Sequence, residues 1–270
     1  MAGTNMSYVD SALRNLEAGE PPPFWRHFHW GLFDEPGVAD DDPERYFAAA
    51  AAMTEHIVAA AGVADGRSVL DVGCGFGGTL EHIRARNVDC QLAGVNIDER
   101  QLQWARRLLH DDRIGFVAAD GCCLPVADAS VDHVLAVECI FHFPSRKSFF
   151  AEVARVLRPG GTLALSDFVM APGALAAVAS TMGSGGVGEE NWYGHMAKPL
   201  TSAGYERLAR RTGLQMLRDD DVNARTLPTY PALRRLAGEA DSVAGLTSID
   251  GIEALAQTGD FAYHVLSFTR

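Results

Sequence analysis

Beyond residue 66 the chain alternates short apolar runs with stretches of helical period. Runs near 68–72, 91–96, 113–119, 131–137 and 162–167 are rich in valine, leucine and alanine and are bounded by glycine, proline or aspartate, which predicts buried strands. Between them, mixed polar and apolar periods predict helices near 78–86, 98–109 and 146–157. The last of these opens on Ser145 as a cap and stops at Pro159-Gly160-Gly161. An earlier helix begins with Asp42 as cap and Pro43 at its first position, and runs through an alanine-rich stretch to Gly62. Strands and helices alternating in this way predict a doubly wound α/β fold, with a mostly parallel sheet covered on both faces.

The pattern changes after residue 168. Helices are expected near 172–182 and 202–212, a strand around 214–219, two helical patterns within 228–257, and a final strand from Phe261 to Phe268. A glycine-rich segment, Gly183 to Gly188, precedes Asn191-Trp192-Tyr193 and suits a lid. Residues 1–40 form an aromatic-rich arm with three consecutive prolines at 21–23, followed by Trp25, Phe28, Trp30 and Phe33. The expected organisation is an arm or lid over 1–42, a cofactor-binding core over 43–168, and over 169–270 the rest of the sheet with an inserted helical cap.

Composition narrows the partners. The 270 residues are 47% apolar, enough for one large domain with a cap, and the net charge of −12 opposes a grip on phosphate backbones. No stretch of eighteen apolar residues and no leader pattern is apparent. Five cysteines, two of them adjacent at 122 and 123, form no disulfide framework and no zinc knuckle, and His27-x-His29 has no further ligands at set spacing. The expectation is a cytoplasmic enzyme without a metal, acting on a small molecule rather than on nucleic acid or a membrane, its oligomeric state left open.

The chemistry concentrates where the first strand ends. Residues 69–79 read Val-Leu-Asp-Val-Gly-Cys-Gly-Phe-Gly-Gly-Thr, a buried strand running into a turn almost without side chains. A nucleotide-like ligand can lie directly on such a backbone, facing helix N–H groups. Gly73, Gly75 and Gly78 also satisfy the dinucleotide spacing, so the turn alone leaves a nicotinamide cofactor open. Asp71 either faces the ligand or ties the turn's amides. Asn96, about twenty residues on at the end of the second strand, suits a ribose diol. Asp120-Gly121 comes after the third strand, where a carboxylate and an N–H suit an adenine edge, and Glu138 comes after the fourth.

The segments VLDVGCGFG (69–77), GVNIDERQ (94–101), AADGCCLPVADASVDHV (118–134) and RVLRPGGTLALSDF (155–168) together resemble the class I S-adenosylmethionine-dependent methyltransferases. The likeness covers roughly residues 66–168 and is strongest to small-molecule enzymes, namely sterol and tocopherol C-methyltransferases and the rebeccamycin sugar O-methyltransferase. It implies S-adenosylmethionine as cofactor and a seven-stranded sheet whose last strand is antiparallel. Carried over, Gly73, Cys74 and Gly75 would line the methionine end, Asn96 and Ile97 the ribose and adenine, and Gln101 the adjoining loop. Asp120 and Gly121 would meet the adenine edge and Glu138 the sulfonium region. Asn96 stands where many members carry Asp or Glu.

Methyl transfer is an in-line displacement, and a base is needed only where the nucleophile holds its proton at neutral pH. Candidates at the strand ends are His142 and Asp167. Related sugar-type enzymes carry a His-His pair where this chain has Phe141-His142. His29-Trp30-Gly31 is similar to the arm that folds over the cofactor in relatives. Trp25, His29, Trp30, Phe141, Trp192 and Tyr193 are therefore the expected acceptor or lid residues; the alternative is that Trp25, Phe28 and Phe33 are core packing for the helix through Ala48–Ala61. The expected reaction is methyl transfer to a small natural-product acceptor, with oxygen favoured over carbon or nitrogen. The alternative is a cyclase that binds the cofactor without spending its methyl group.

Overall fold

The computed structural model describes residues 7–19, 26–36, 42–86, 89–182, 197–239 and 243–270. Seven strands form one sheet: β1 (Ser68–Val72), β2 (Gln91–Asn96), β3 (Ile114–Ala118), β4 (Val131–Val137), β5 (Leu157–Met170), β6 (Gln215–Asp221) and β7 (Phe261–Thr269), in spatial order β3-β2-β1-β4-β5-β7-β6. All neighbours are parallel except that β7 runs antiparallel to both β5 and β6. The chain winds outward through β1, β2 and β3, then restarts beside β1 with β4. That reversal opens a crevice at the C-terminal ends of β1 and β4, the place where open α/β sheets bind ligands.

Strand residues alternate between two apolar layers. Val69, Leu92, Leu135, Ala164 and Val265 face one layer with the helices α2 (Pro43–Ala61), α3 (Gly78–Arg86), α9 (Thr229–Glu239) and α10 (Val243–Thr258). Leu70, Val72, Val134, Leu163 and Leu266 face the other with α5 (Arg146–Val156) and α7 (Ser202–Thr212). The helix limits reflect cap chemistry. Asp42, Asp98, Ser145 and Thr201 accept backbone N–H groups at the starts of α2, α4 (Glu99–Leu109), α5 and α7. Two shorter helices, α6 (Leu175–Met182) and α8 (Asn223–Thr226), complete the second half.

Two elements differ from the sequence expectation. Residues Ser7–Glu17 form a helix, α1, because Val9, Ala12, Leu13 and Leu16 recur at helical spacing and pack with Phe76. The segment from 157 to 161, expected as a helix stop, already belongs to β5. Leu157 pairs with Val131, the register then slips, and Gly160 takes a left-handed φ of 78°. Arg158 there bonds Asp132 at 2.7 Å and Ser68 at 3.1 Å, closing the end of the sheet opposite the crevice.

The arm is threaded into the body rather than laid on it. Leu32 N–H donates to Ala49 O at 2.8 Å, Gly31 N–H to Thr229 Oγ1 at 3.0 Å, and Phe33 N–H to Arg225 O at 3.0 Å. A Cβ on Gly31 would stand 2.7 Å from the Ala49 Cβ, so this close approach to α2 requires glycine.

Candidate active site

The crevice holds a cavity open to solvent, walled by the ends of β1, β2, β3 and β4 and by residues of the arm and of α1. Asp71, Gly73, Cys74, Gly75, Asn96, Ile97, Gln101, Asp120, Gly121 and Glu138 all border it. Residues far apart in sequence thus converge because β1, β2, β3 and β4 end at one level.

The turn after β1 is built for close approach. Gly73, Gly75 and Gly77 have φ of 78°, 53° and 85°, a region that other residues enter at a cost. Gly73 and Cys74 N–H groups both donate to Val95 O, which ties the turn to β2. A Cβ on Gly73 would lie 2.6 Å from the Cys139 Cβ, whereas one on Gly75 would meet only Gln101 Nε2 at 3.7 Å. Gly73 is therefore needed for packing, and Gly75 keeps the floor open. Gly78 serves a third purpose. A Cβ there would fall 1.5 Å from the carbonyl oxygen of Arg26, so the arm's backbone crosses the start of α3 where a side chain would stand.

Polar groups around the cavity are mostly held by the protein. Asn96 Nδ2 donates to Gln101 Oε1 at 2.9 Å and to Asp98 O at 3.3 Å, which leaves its Oδ1 for a ligand hydroxyl. Asp120 Oδ1 accepts Cys122 N–H at 2.8 Å, shaping the loop and leaving its second oxygen to the cavity. Asp71 ties no turn amide: its carboxylate, 1% exposed, bonds to no described residue. Burial raises it to about 7. An unpaired buried carboxylate beside an open glycine turn suits a cationic ligand. A ribose-binding amide, a nucleobase-edge carboxylate and this acid together fit an adenosyl group carrying a charged methionine arm.

Glu138 sits at φ 48° and borders the same cavity. Its Oε2 accepts Trp30 N–H at 2.9 Å and Tyr263 O–H at 2.6 Å. Burial raises it to about 8, against the lowering effect of those two donors. His142 ends a single 3-10 turn, Ile140–His142, and borders the mouth; its Nε2 lies 3.5 Å from the hydroxyl of Tyr8 on α1.

Several expected residues are placed elsewhere. Asp167 does not border the cavity. It is fully buried, its Oδ2 bonded to Arg146 Nη2 at 2.9 Å and to the Tyr205 hydroxyl, its Oδ1 to Phe168 N–H at 2.9 Å. Arg146 also donates to Lys198 O at 2.8 Å, so this ion pair joins α5, β5 and α7 instead of facing an acceptor. Trp30 and Phe141 belong to the core. Trp30 packs edge-on to Phe168 and Tyr230 and stacks on Tyr263, and Phe141 lies against Phe168. Of the arm aromatics read alternatively as packing for α2, Phe33 lies in a cluster with Tyr46 and Ala49 of that helix, whereas Phe28 packs against Phe76 and borders the cavity. Trp25, Trp192 and Tyr193 lie outside the described residues.

His29 borders the cavity but has both ring nitrogens engaged. A carbonyl only accepts, so the 3.0 Å contact to Trp30 O puts the proton on Nδ1, and Nε2 then accepts from Thr54 at 3.0 Å. The Thr54 oxygen in turn receives His27 Nδ1–H at 3.1 Å. Burial lowers His29 to about 4 and His27 to about 3, the latter helped by His29, His82 and Arg26. Both imidazoles stay neutral, and the chain of bonds latches the arm to α2. Sequence reasoning missed Tyr8 and Phe76, which line the cavity together with Phe28 of the arm. The period of Val9, Ala12, Leu13 and Leu16 was the signal that would have placed Tyr8 on a docked helix.

Among the described residues no group of histidines, cysteines and carboxylates has metal-binding geometry, and no helix is long and apolar enough to cross a membrane. Residues 70–165 match the family described as a methyltransferase domain. Over 231 residues the chain is 35% identical to Methyltransferase GfsG of Streptomyces halstedii, spanning 84% of this chain and 78% of that protein. It is 32% identical over 207 residues to the 27-O-demethylrifamycin SV methyltransferase of Amycolatopsis mediterranei, spanning 74% and 73%. Among solved structures, the [4+2]-cyclase SpnF shares the fold with a TM-score of 0.75 at 23% identity, covering 97% of this chain and 93% of its own. A geranyl diphosphate C-methyltransferase of Streptomyces coelicolor A3(2), solved with S-adenosylhomocysteine, shares it with a TM-score of 0.75 at 17% identity, covering 99% of both. With the glycine turn, Asn96, Asp120 and the sheet order already in place, these likenesses put the chain in the class I S-adenosylmethionine-dependent methyltransferases.

Proposed function

We infer that the chain methylates a hydroxyl group on a small natural product. The observation that carries the choice of oxygen is that two side chains able to accept a proton, Glu138 and His142, border the same cavity as the cofactor residues. Similarity to an enzyme named for a 27-O-demethyl acceptor supports the same choice. The net charge of −12 supports a small acceptor over nucleic acid.

Bound, S-adenosylmethionine supplies an electrophilic methyl group on a sulfonium. Gly73, Cys74 and Gly75 would hold its methionine arm with Asp71 facing the charge, Asn96 and Gln101 its ribose, Ile97, Asp120 and Gly121 its adenine. With that group in place, the acceptor oxygen would take the methyl carbon from sulfur, the bonding pair would stay on sulfur, and the hydroxyl proton would pass to the protein. Holding those atoms in line is worth ~7–11 kcal/mol of barrier. His142 and Glu138 are the candidate proton acceptors. Asp167 has no part in this step because its oxygens are spent on Arg146, Tyr205 and Phe168.

The test is incubation of purified protein with S-adenosylmethionine and a panel of hydroxyl-bearing small natural products that includes 27-O-demethylrifamycin SV. Expected is a product heavier by one methyl, with a carbon-13 shift typical of a methoxy carbon. A methyl on carbon would overturn the choice of oxygen. An acceptor isomerised at constant mass would favour the cyclase alternative.

A further inference from the structure

Glu138 closes a ring of hydrogen bonds on itself. Its backbone N–H donates to Ser166 Oγ at 3.0 Å. The Tyr263 hydroxyl lies 2.6 Å from Glu138 Oε2 and 2.9 Å from Ser166 Oγ. A carboxylate oxygen accepts, so the single Tyr263 proton points at Glu138. Ser166, having accepted the Glu138 N–H, turns its own proton to the Tyr263 oxygen. The path therefore leaves Glu138 through its backbone and returns to its side chain through two hydroxyls.

Strand order makes the ring possible. β4, β5 and β7 are consecutive in the sheet, with Val137 opposite Ser166 and Phe168 opposite Tyr263. Ser166 and Tyr263 are both fully buried, and neither borders the cavity. The ring also explains how a non-glycine residue keeps a left-handed φ of 48°, a conformation costing about 1–2 kcal/mol. Trp30 N–H adds the second bond to Oε2. That oxygen is thus filled from two sides, while Oε1 bonds to no described residue and is the oxygen left to face the cavity. Any proton Glu138 acquires must sit on Oε1.

We propose that Tyr263 and Ser166 are positioning residues for methyl transfer, holding Glu138 so that its Oε1 receives the proton of the acceptor hydroxyl. This rests on the O-methylation reading above. The step starts from the ionised carboxylate, which forms as pH rises through about 8: the acceptor's O–H bond would break as its oxygen takes the methyl carbon from sulfur, the proton would move to Oε1, and it would leave to solvent after product release. The other titratable groups around Glu138 are Tyr8 on α1, Tyr46 on α2, Cys139 beside it, Tyr230 on α9 and Asp167 on β5. Burial raises the phenols and the thiol and keeps them neutral. Asp167 adds a like charge that raises Glu138, while Tyr263 and the Trp30 amide lower it.

The experiment compares wild type with Tyr263→Phe, Ser166→Ala and Glu138→Gln. Carbon-13 NMR of protein labelled at the glutamate carboxyl identifies Glu138 by the resonance missing from Glu138→Gln. Expected in wild type is a titration midpoint near 8, moving upward by about one pH unit in Tyr263→Phe as one donor is lost. Calorimetric affinity for S-adenosylhomocysteine should hold within ~3-fold. With the acceptor found above, kcat should fall ~10–100-fold in both ring variants with KM little changed. An unmoved midpoint and wild-type kcat in folded Tyr263→Phe would overturn the proposal. If that variant fails to fold, Ser166→Ala decides by the same readouts. A wild-type protein that methylates nothing would instead sink the O-methylation reading, an outcome separable from an unmoved midpoint in an active enzyme.

Discussion

Replacing Asp167 by asparagine separates a catalytic from a structural carboxylate. The Arg146 and Asp167 side chains are 7% and 1% exposed, with Nη2 and Oδ2 2.9 Å apart. Asparagine removes the negative charge and turns an NH₂ group toward donors from Arg146 or Tyr205, so the guanidinium is left buried without its counter-ion. Breaking a buried pair from one side costs about 3–5 kcal/mol. At ~2–4 °C per kcal/mol for a domain of this size, the melting temperature should drop by roughly 6–20 °C. Thermal denaturation followed by circular dichroism measures this, and calorimetry with S-adenosylhomocysteine well below the transition should return near wild-type affinity. Replacing both partners, as Arg146→Met with Asp167→Leu, should recover most of the loss because no buried charge remains. A melting temperature within ~2 °C of wild type, combined with a ~100-fold loss of turnover, would refute the structural assignment and return Asp167 to the reacting atoms.

The cavity sets three further outcomes. Gly78→Ala should push the arm off α3, since the new Cβ would collide with the Arg26 carbonyl; limited proteolysis should cut the arm faster, and S-adenosylhomocysteine should bind ~10-fold more weakly. Gln101→Ala removes the 2.9 Å bond that orients Asn96, and calorimetry should show ~2–13-fold weaker binding, the equivalent of about 0.5–1.5 kcal/mol. Asp71 is raised from 3.8 to about 7 by burial, so it favours the ligand-free fold while protonated, and that contribution fades as pH rises through about 7. A cation beside it reverses the preference. Binding S-adenosylmethionine near pH 6 should release a proton, detectable as a buffer-dependent binding enthalpy, and Asp71→Asn should abolish that release.

Most of the cofactor half was legible because its constraints are local. A strand that ends in glycines must be a tight turn, and Asn96 and Asp120 sit at strand ends whatever the rest of the chain does. The acceptor half was less legible because its decisive partners are distant in sequence. Asp167 and Glu138 both come after apolar runs and look alike on paper. One meets Arg146 and Tyr205 from helices on the far layer, the other meets Trp30 and Tyr263 from opposite ends of the chain. Trp30 beside His29 looked like a lid because aromatic spacing cannot tell a face over a ligand from one against Phe168 and Tyr263. Arg158-Pro159-Gly160-Gly161 marked the family correctly but works at the far end of the sheet, pinning β5 to Asp132.

The antiparallel β7 has a consequence for the order in which a nascent chain becomes competent. The glycine turn, Asn96, Asp120 and Glu138 all leave the ribosome well before Tyr263, which lies 125 residues after Glu138. Synthesis at ~5–20 residues per second puts that interval at roughly 6–25 seconds. During it the first five strands can pair and the cofactor turn can form, while Glu138 lacks the hydroxyl that closes its ring. Insertion of β7 between β5 and β6 is then both the last step of sheet assembly and the step that aims the carboxylate. A half-made chain holds the means to bind the methyl donor before it holds the geometry to spend it.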